Sequence, residues 1–128
     1  MDIPLAERGN YYRGLLVLIR KDRVISARER DLMIRLGQRL DFDPRFCEGA
    51  IDDVLKNPHI KNKPMMFSDR SIARLFVRDA VMIAGIDGEI HPDEWTWIRE
   101  VARKNGLTDR EIGDGAGYPA PAGRLPKS

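Results

Sequence analysis

The chain has 128 residues and a mass of 14.6 kDa, room for one domain around a single core. Its charge is high but balanced, 22 Lys plus Arg against 20 Asp plus Glu for a net +2, which excludes a strongly basic nucleic-acid footprint and a charge-driven disordered chain. The apolar run Leu15–Ile19 is far too short to span a bilayer, the N-terminus with Asp2, Glu7 and Arg8 lacks the layout of a secretory signal, and one cysteine cannot form an internal disulfide, so a cytoplasmic protein is expected.

Helix signals dominate in chain order, and no stretch alternates with period two, so an all-α fold of five to six helices is expected. The first helix spans about Tyr11 to Lys21, with Tyr11, Tyr12, Leu15, Leu16, Leu18 and Ile19 on its apolar side. Ser26-Ala27-Arg28-Glu29 is a capping box, in which the serine hydroxyl accepts an amide of the first turn and the glutamate reaches back to the cap. Leu32, Met33, Leu36 and Leu40 then give one stripe to about Leu40. Asp43-Pro44 reads as N-cap plus first-turn proline, and Phe46, Cys47, Ala50, Ile51, Val54 and Leu55 share a face until Asn57-Pro58 stops the helix. Ser68 is the expected cap of a fourth helix, with Phe67 and Ile72 as a hydrophobic staple and a stripe of Ile72, Leu75, Phe76, Ala80, Ile83 and Ala84. A fifth runs from Pro92 to Lys104 and ends at Asn105-Gly106. Thr108-Asp109-Arg110-Glu111 is a further capping box, but the helix it opens is expected to collapse at Gly113-Asp114-Gly115. The folded domain is therefore drawn over residues 1–112, with the Gly- and Pro-rich residues 113–128 as a flexible tail. Residues 58–67 form a Pro-containing connector whose end, Met65-Met66-Phe67, is either a cover over the core or an adhesive patch.

Sliding the sequence on itself by 65 positions superposes Asp22 on Asp87, Ile25 on Ile90 and Glu29 on Glu94, and apolar positions such as Leu32 and Trp97 also coincide. Each half reads as helix, tight acidic turn, capped helix, so two pseudo-repeated helical hairpins are expected. In the second half, residues 84–94 resemble the later part of a calcium-binding loop, with an acid, a turn glycine, an apolar residue two later and a closing glutamate. The front of that loop fails, because Ile83 and Gly85 stand where the first oxygen ligands belong.

At this turn Ala84, Asp87, Gly88, Ile90 and Glu94 match, one by one, the Ala-x-x-Asp-Gly-x-Ile turn and following acid of the TerB-like family. The chain thus resembles the helical modules of tellurite-resistance proteins and the N-terminal domain of DjlA-type co-chaperones, over about Tyr11 to Ile112. In the first half Asp22, Ile25 and Glu29 match, with Arg23 in place of the glycine. The resemblance implies an all-helical fold of two pseudo-repeats and, for some members, an acidic cation site.

Two readings of the acids stand side by side. Asp22, Glu29, Asp87, Glu89, Asp93 and Glu94 could together hold Ca2+, Mg2+ or Mn2+, or the aspartates shape turns and both glutamates only cap helices. His59 and His91 have no partner at zinc spacing, and Cys47, on an apolar face, is expected to be a buried thiol. No nucleophile elbow or phosphate-binding loop is present, so catalysis is not expected. Trp97 should be core, whereas Trp95 is either a staple on Ile90 or an exposed anchor for a protein partner, together with Met65 and Met66. The arginines from Arg20 to Arg39 are interleaved with Asp22, Glu29 and Asp31, which reads as solvated helix surface rather than a nucleic-acid site. The expectation is a non-catalytic interaction or stress-response module, with a cation-binding regulatory protein as the alternative.

Overall fold

The computed structural model describes residues 3–21, 24–57 and 63–116. It is all-helical, with six helices and no strand among the described residues: α1 (Leu5–Arg20), α2 (Ala27–Arg39), α3 (Pro44–Lys56), α4 (Arg70–Ala84), α5 (Pro92–Lys104) and α6 (Asp109–Ala116). No described helix is long and apolar enough to cross a membrane.

Side-chain caps set most of the helix starts. Ser26 Oγ accepts from Glu29 N at 3.1 Å while Ser26 N donates to Glu29 Oε1 at 2.9 Å, closing the expected box. Asp43 Oδ1 takes Arg45 N at 2.7 Å ahead of Pro44. His91 caps α5 through Nδ1, which accepts from Asp93 N at 3.0 Å, and Glu94 Oε1 accepts from His91 N at 3.0 Å. Each such cap is worth about 1 kcal/mol because it satisfies amides that the helix cannot.

Three boundaries differ from the sequence reading. α1 begins at Leu5 rather than Tyr11, since its first turns are exposed and carry no periodic apolar face; Pro4 precedes them, and Glu7 N donates to Pro4 O at 2.8 Å. The cap of α4 is Asp69, whose Oδ1 accepts from Ser71 N at 2.9 Å, and not Ser68. Ser68 is engaged elsewhere: its amide donates to Glu7 Oε1 at 2.9 Å and its hydroxyl to Glu7 Oε2, ties across sequence that no local pattern shows. The last helix does not collapse at Gly113 but continues to Ala116. The Thr108 box forms, with Thr108 N donating to Glu111 Oε1 at 2.8 Å, and Glu111 then binds Arg70 and Arg74 of α4 while Leu107 and Ile112 are buried. These ties outweigh the cost of about 1 kcal/mol that each glycine imposes on a helix. Residues 117–128 of the expected tail lie outside the described residues.

α1 and α4 are the central pair. α1 packs on α2, α3, α4 and α5, and α4 packs on α1, α2, α5 and α6. Their approach is set at Gly14, where an added Cβ would lie 2.8 Å from both Phe76 Cε1 and Met65 Sδ. The Gly14 carbonyl also accepts the buried indole N–H of Trp97 at 3.0 Å, which fixes α5 against α1. The connector covers this junction. Asn105 holds it on both sides, accepting Phe67 N at 2.7 Å and donating to Met65 O at 2.9 Å. Tyr11, Phe67 and Phe76 pack as a triangle of rings 5.4 to 5.8 Å apart.

A second close approach joins α2 to α3. A Cβ at Gly37 would stand 2.3 Å from the sulfur of buried Cys47 and 3.2 Å from the ring of Tyr12, whose hydroxyl donates to Met33 O at 2.8 Å. Gly37→Ala is therefore expected to destabilise the fold by about 1–3 kcal/mol through overpacking. In urea melts, Cys47→Ala placed on top of Gly37→Ala should recover part of that loss, so the pair costs less than the sum of the two single changes. Strict additivity would show that sulfur and glycine do not share this space.

Candidate functional site

The acidic turns are built as caps more than as a cluster. Glu29 and Glu94, at 5% and 2% exposed, lie buried in the first turns of α2 and α5 with their carboxylates committed to the capping boxes. Asp87, Glu89 and Asp93 are exposed, and Asp22 lies outside the described residues. Gly88 adopts φ +108°, the left-handed conformation expected of the glycine after Asp87. Among the described residues no group of three or more His, Cys, Asp and Glu side chains is gathered in a way that could hold a metal ion.

The expected apolar anchors divide. Trp95 is 6% exposed rather than displayed, with the Arg99 guanidinium one turn on lying 5.5 Å from its ring centre, and Met65 is buried in the cover over Gly14. Both Trp95 and Trp97 are core because α5 is buried over a wide arc, including Ile98, Val101 and Ala102. Only Met66 of the three stands out, at 62% exposed.

Two features of the surface and core were not singled out from the sequence. The first is an open trough of about 630 Å3 between α1 and α3, walled by Leu16, Val17, Ala50 and Val54 and rimmed by Arg13, Arg45 and Asp53. Phe46 stands in it at 55% exposed, although it shares the apolar face of α3. A ladder of rings connects it to the interior: Phe46 packs 5.3 Å from Phe42, and Phe42 packs 5.5 Å from buried Tyr12. An exposed phenylalanine braced in this way keeps its place without being covered. The sequence signal was the place of Phe46 on the apolar face shared with Cys47, Ala50, Ile51 and Val54, which marks it as apolar-facing but cannot say that no helix lies over it.

The second feature is Asp79, a carboxylate only 1% exposed in the middle of α4. Its Oδ2 accepts the Tyr11 hydroxyl at 2.5 Å and faces Arg39 Nη2 at 3.3 Å, joining α4 to α1 and α2. Burial pushes the Asp79 carboxyl above the usual carboxylate range, against the opposing pull of the Tyr11 hydrogen bond and of Arg39 and Arg78. Burial likewise raises the Tyr11 hydroxyl, reinforced by the charge of Asp79. Position 79 was legible in principle, since it falls three residues after Phe76 and four before Ile83, on the face the stripe buries.

No family model matches the chain, and no curated protein or solved structure matches it.

Because the folded-state pKa of Asp79 lies above its unfolded value, the folded state holds the proton more tightly. Its contribution to stability is present at low pH and lost as pH rises from about 4 through the raised pKa. Asp79→Asn keeps an acceptor for Tyr11 without a buried charge, so it should gain stability relative to the wild type as pH is raised from about 4 to 7. Asp79→Ala, which leaves the Tyr11 hydroxyl without its acceptor, should cost about 1–3 kcal/mol at every pH. Urea melts of the three proteins at several pH values check this; a wild-type advantage over Asp79→Asn that grows with pH would reverse the assignment.

Proposed function

We propose that the chain is a non-catalytic helical interaction module of the TerB-like kind, built on two related hairpins, α1–α2 and α4–α5, and acting in a cytoplasmic stress-response setting. The trough between α1 and α3 carries this reading. It is apolar along its walls, and Phe46 offers an aromatic anchor that the fold itself leaves uncovered. Two helices side by side with a trough between them suit an amphipathic helix of a partner protein, apolar anchors inward. Charge sets the partner's flank: Arg13 and Arg45 face one carboxylate, Asp53, and neither arginine is paired with a carboxylate among the described residues, so an acidic helix is favoured. The Ser26 and His91 capping boxes, closed alike by Glu29 and Glu94, support the likeness of the two hairpins.

A divalent cation on the acidic turns is the second reading, supported by the exposed carboxylates of Asp87 and Glu89 on either side of Gly88. It ranks lower because Glu29 and Glu94 already serve as caps. Millimolar Ca2+, Mg2+ or Mn2+ should leave the melting temperature unchanged; a rise that Asp87→Asn abolishes would move the assignment to the cation.

The interaction reading is tested with fluorescently labelled amphipathic peptides of matched apolar face and opposite charge. The acidic peptide should bind roughly tenfold or more tightly than the basic one, and Phe46→Ser should weaken it by roughly tenfold, about 1.4 kcal/mol. Because Phe46 is more than half exposed but packs on Phe42, that variant should lose only about 0.5–1.5 kcal/mol of stability, and binding is compared at a temperature where both proteins are folded. Equal binding of both peptides, or binding indifferent to Phe46→Ser, would contradict the proposal.

A further inference from the structure

A separate concavity of about 650 Å3 lies where the C-terminal end of α2 meets α4. Its apolar wall is Ile3, Leu40 and Leu75, and the remaining lining side chains are Arg39, Arg74, Arg78 and Ser71, with no carboxylate among them. Ser71, Arg74 and Arg78 recur at three and four residues, so they lie along one face of α4, and the two arginines of the α4 face are placed where like charges repel. Ile3 is held as part of the wall by Arg8, whose Nε donates to Ile3 O at 2.8 Å while its Nη1 pairs with Asp41 at 3.0 Å, a pair that is neutral in sum.

The charges around the concavity do not cancel. Glu111 takes Arg70 at 2.9 Å and Arg74 Nε at 3.1 Å, and Asp79 takes Arg39 at 3.3 Å. Arg78 is paired with no carboxylate at ion-pair distance among the described residues. Asp69, which accepts Ser71 N at 2.9 Å, adds a third carboxylate, so four guanidiniums face three, while the lining itself holds three guanidiniums and no carboxylate. A phosphate monoester, with about −1.5 to −2 charge near neutral pH and three acceptor oxygens, offers the three lining guanidiniums more charge and more acceptors than a carboxylate does. Guanidinium forks also suit the paired oxygens of phosphate.

We propose that this concavity binds a phosphate monoester carried on a small organic molecule. The phosphate accepts from Arg74, Arg78 and the Ser71 hydroxyl, and the body of the molecule rests on Ile3, Leu40 and Leu75. The site shares no residue with the trough between α1 and α3, so either assignment can fail without the other.

Calorimetric titration of the full chain with phenyl phosphate, inorganic phosphate and benzoate tests it, alongside sedimentation with phosphatidic-acid vesicles, which present the same monoester on a lipid surface. Phenyl phosphate should bind one to one, roughly tenfold more tightly than either inorganic phosphate or benzoate. Arg78→Gln should weaken it by roughly tenfold in a chain that still unfolds cooperatively well above the titration temperature, and Arg28→Gln, which removes the same charge from an exposed position elsewhere, should leave it unaltered. No saturation up to about 10 mM would overturn the proposal, as would benzoate binding equally well or Arg28→Gln weakening binding as much as Arg78→Gln. Sedimentation with phosphatidic-acid vesicles in the absence of phenyl phosphate binding would overturn it in favour of a lipid surface.

Discussion

The backbone of α1 at Gly14 lies against the ring of Phe76 and the sulfur of Met65 with no space for a side chain, and its carbonyl holds the indole of Trp97. This one close approach sets the spacing of α1 and α4, the depth of α5 and the path of the connector. It also explains why the connector ends in three apolar residues of which two are buried: Met65 and Phe67 close the junction from outside, and Asn105 pins the strand of backbone between them. A helix-interior glycine costs about 1 kcal/mol relative to alanine, and here close packing of an aromatic core offsets that cost.

A polar tie runs through the same pair of helices. The Tyr11 hydroxyl, the Asp79 carboxylate and the Arg39 guanidinium link α1, α4 and α2, the first two of them buried. Such a network adds little net stability over an apolar core, but an unmatched member is costly, so it fixes which helix faces meet. One consequence is visible at the surface: Arg39 is drawn to the α2–α4 junction, next to Arg74 and Arg78 on α4. The other central neighbour of α1 is α3, and the Tyr12–Phe42–Phe46 ladder carries the packing of that side outward to the open trough. Core constraints thus set out two surfaces of contrasting chemistry, one apolar and one cationic.

Local chemistry was legible in the sequence where it is self-contained. Ser26 with Glu29, Asp43 with Pro44, and His91 with Glu94 each announce a helix start within four residues, and the structure has each of them. What depends on distant partners was not legible. Ser68 looked like a cap until Glu7, far away in sequence, claimed it, and the last helix looked too glycine-rich to persist until Glu111 met Arg70 and Arg74. Trp95 read as either a staple on Ile90 or an exposed anchor, because it matches Arg30 of the first half, and its burial follows from α5 burying more of its circumference than α2 does. Asp79 sat in view on an apolar face, while its partners Tyr11 and Arg39 lie on other helices that no spacing rule connects to it.

Native-state hydrogen exchange tests the central place of the α1–α4 junction most directly. If the two helices form one unit around Gly14, amides of the buried stretch of α1, from Tyr11 to Ile19, and of α4, from Ile72 to Ala84, should be the slowest to exchange. Both should then report the same opening free energy, equal to that of global unfolding, while α3 and α6 open more readily. Exchange of the α1 amides through a local opening that leaves α4 protected would contradict the arrangement.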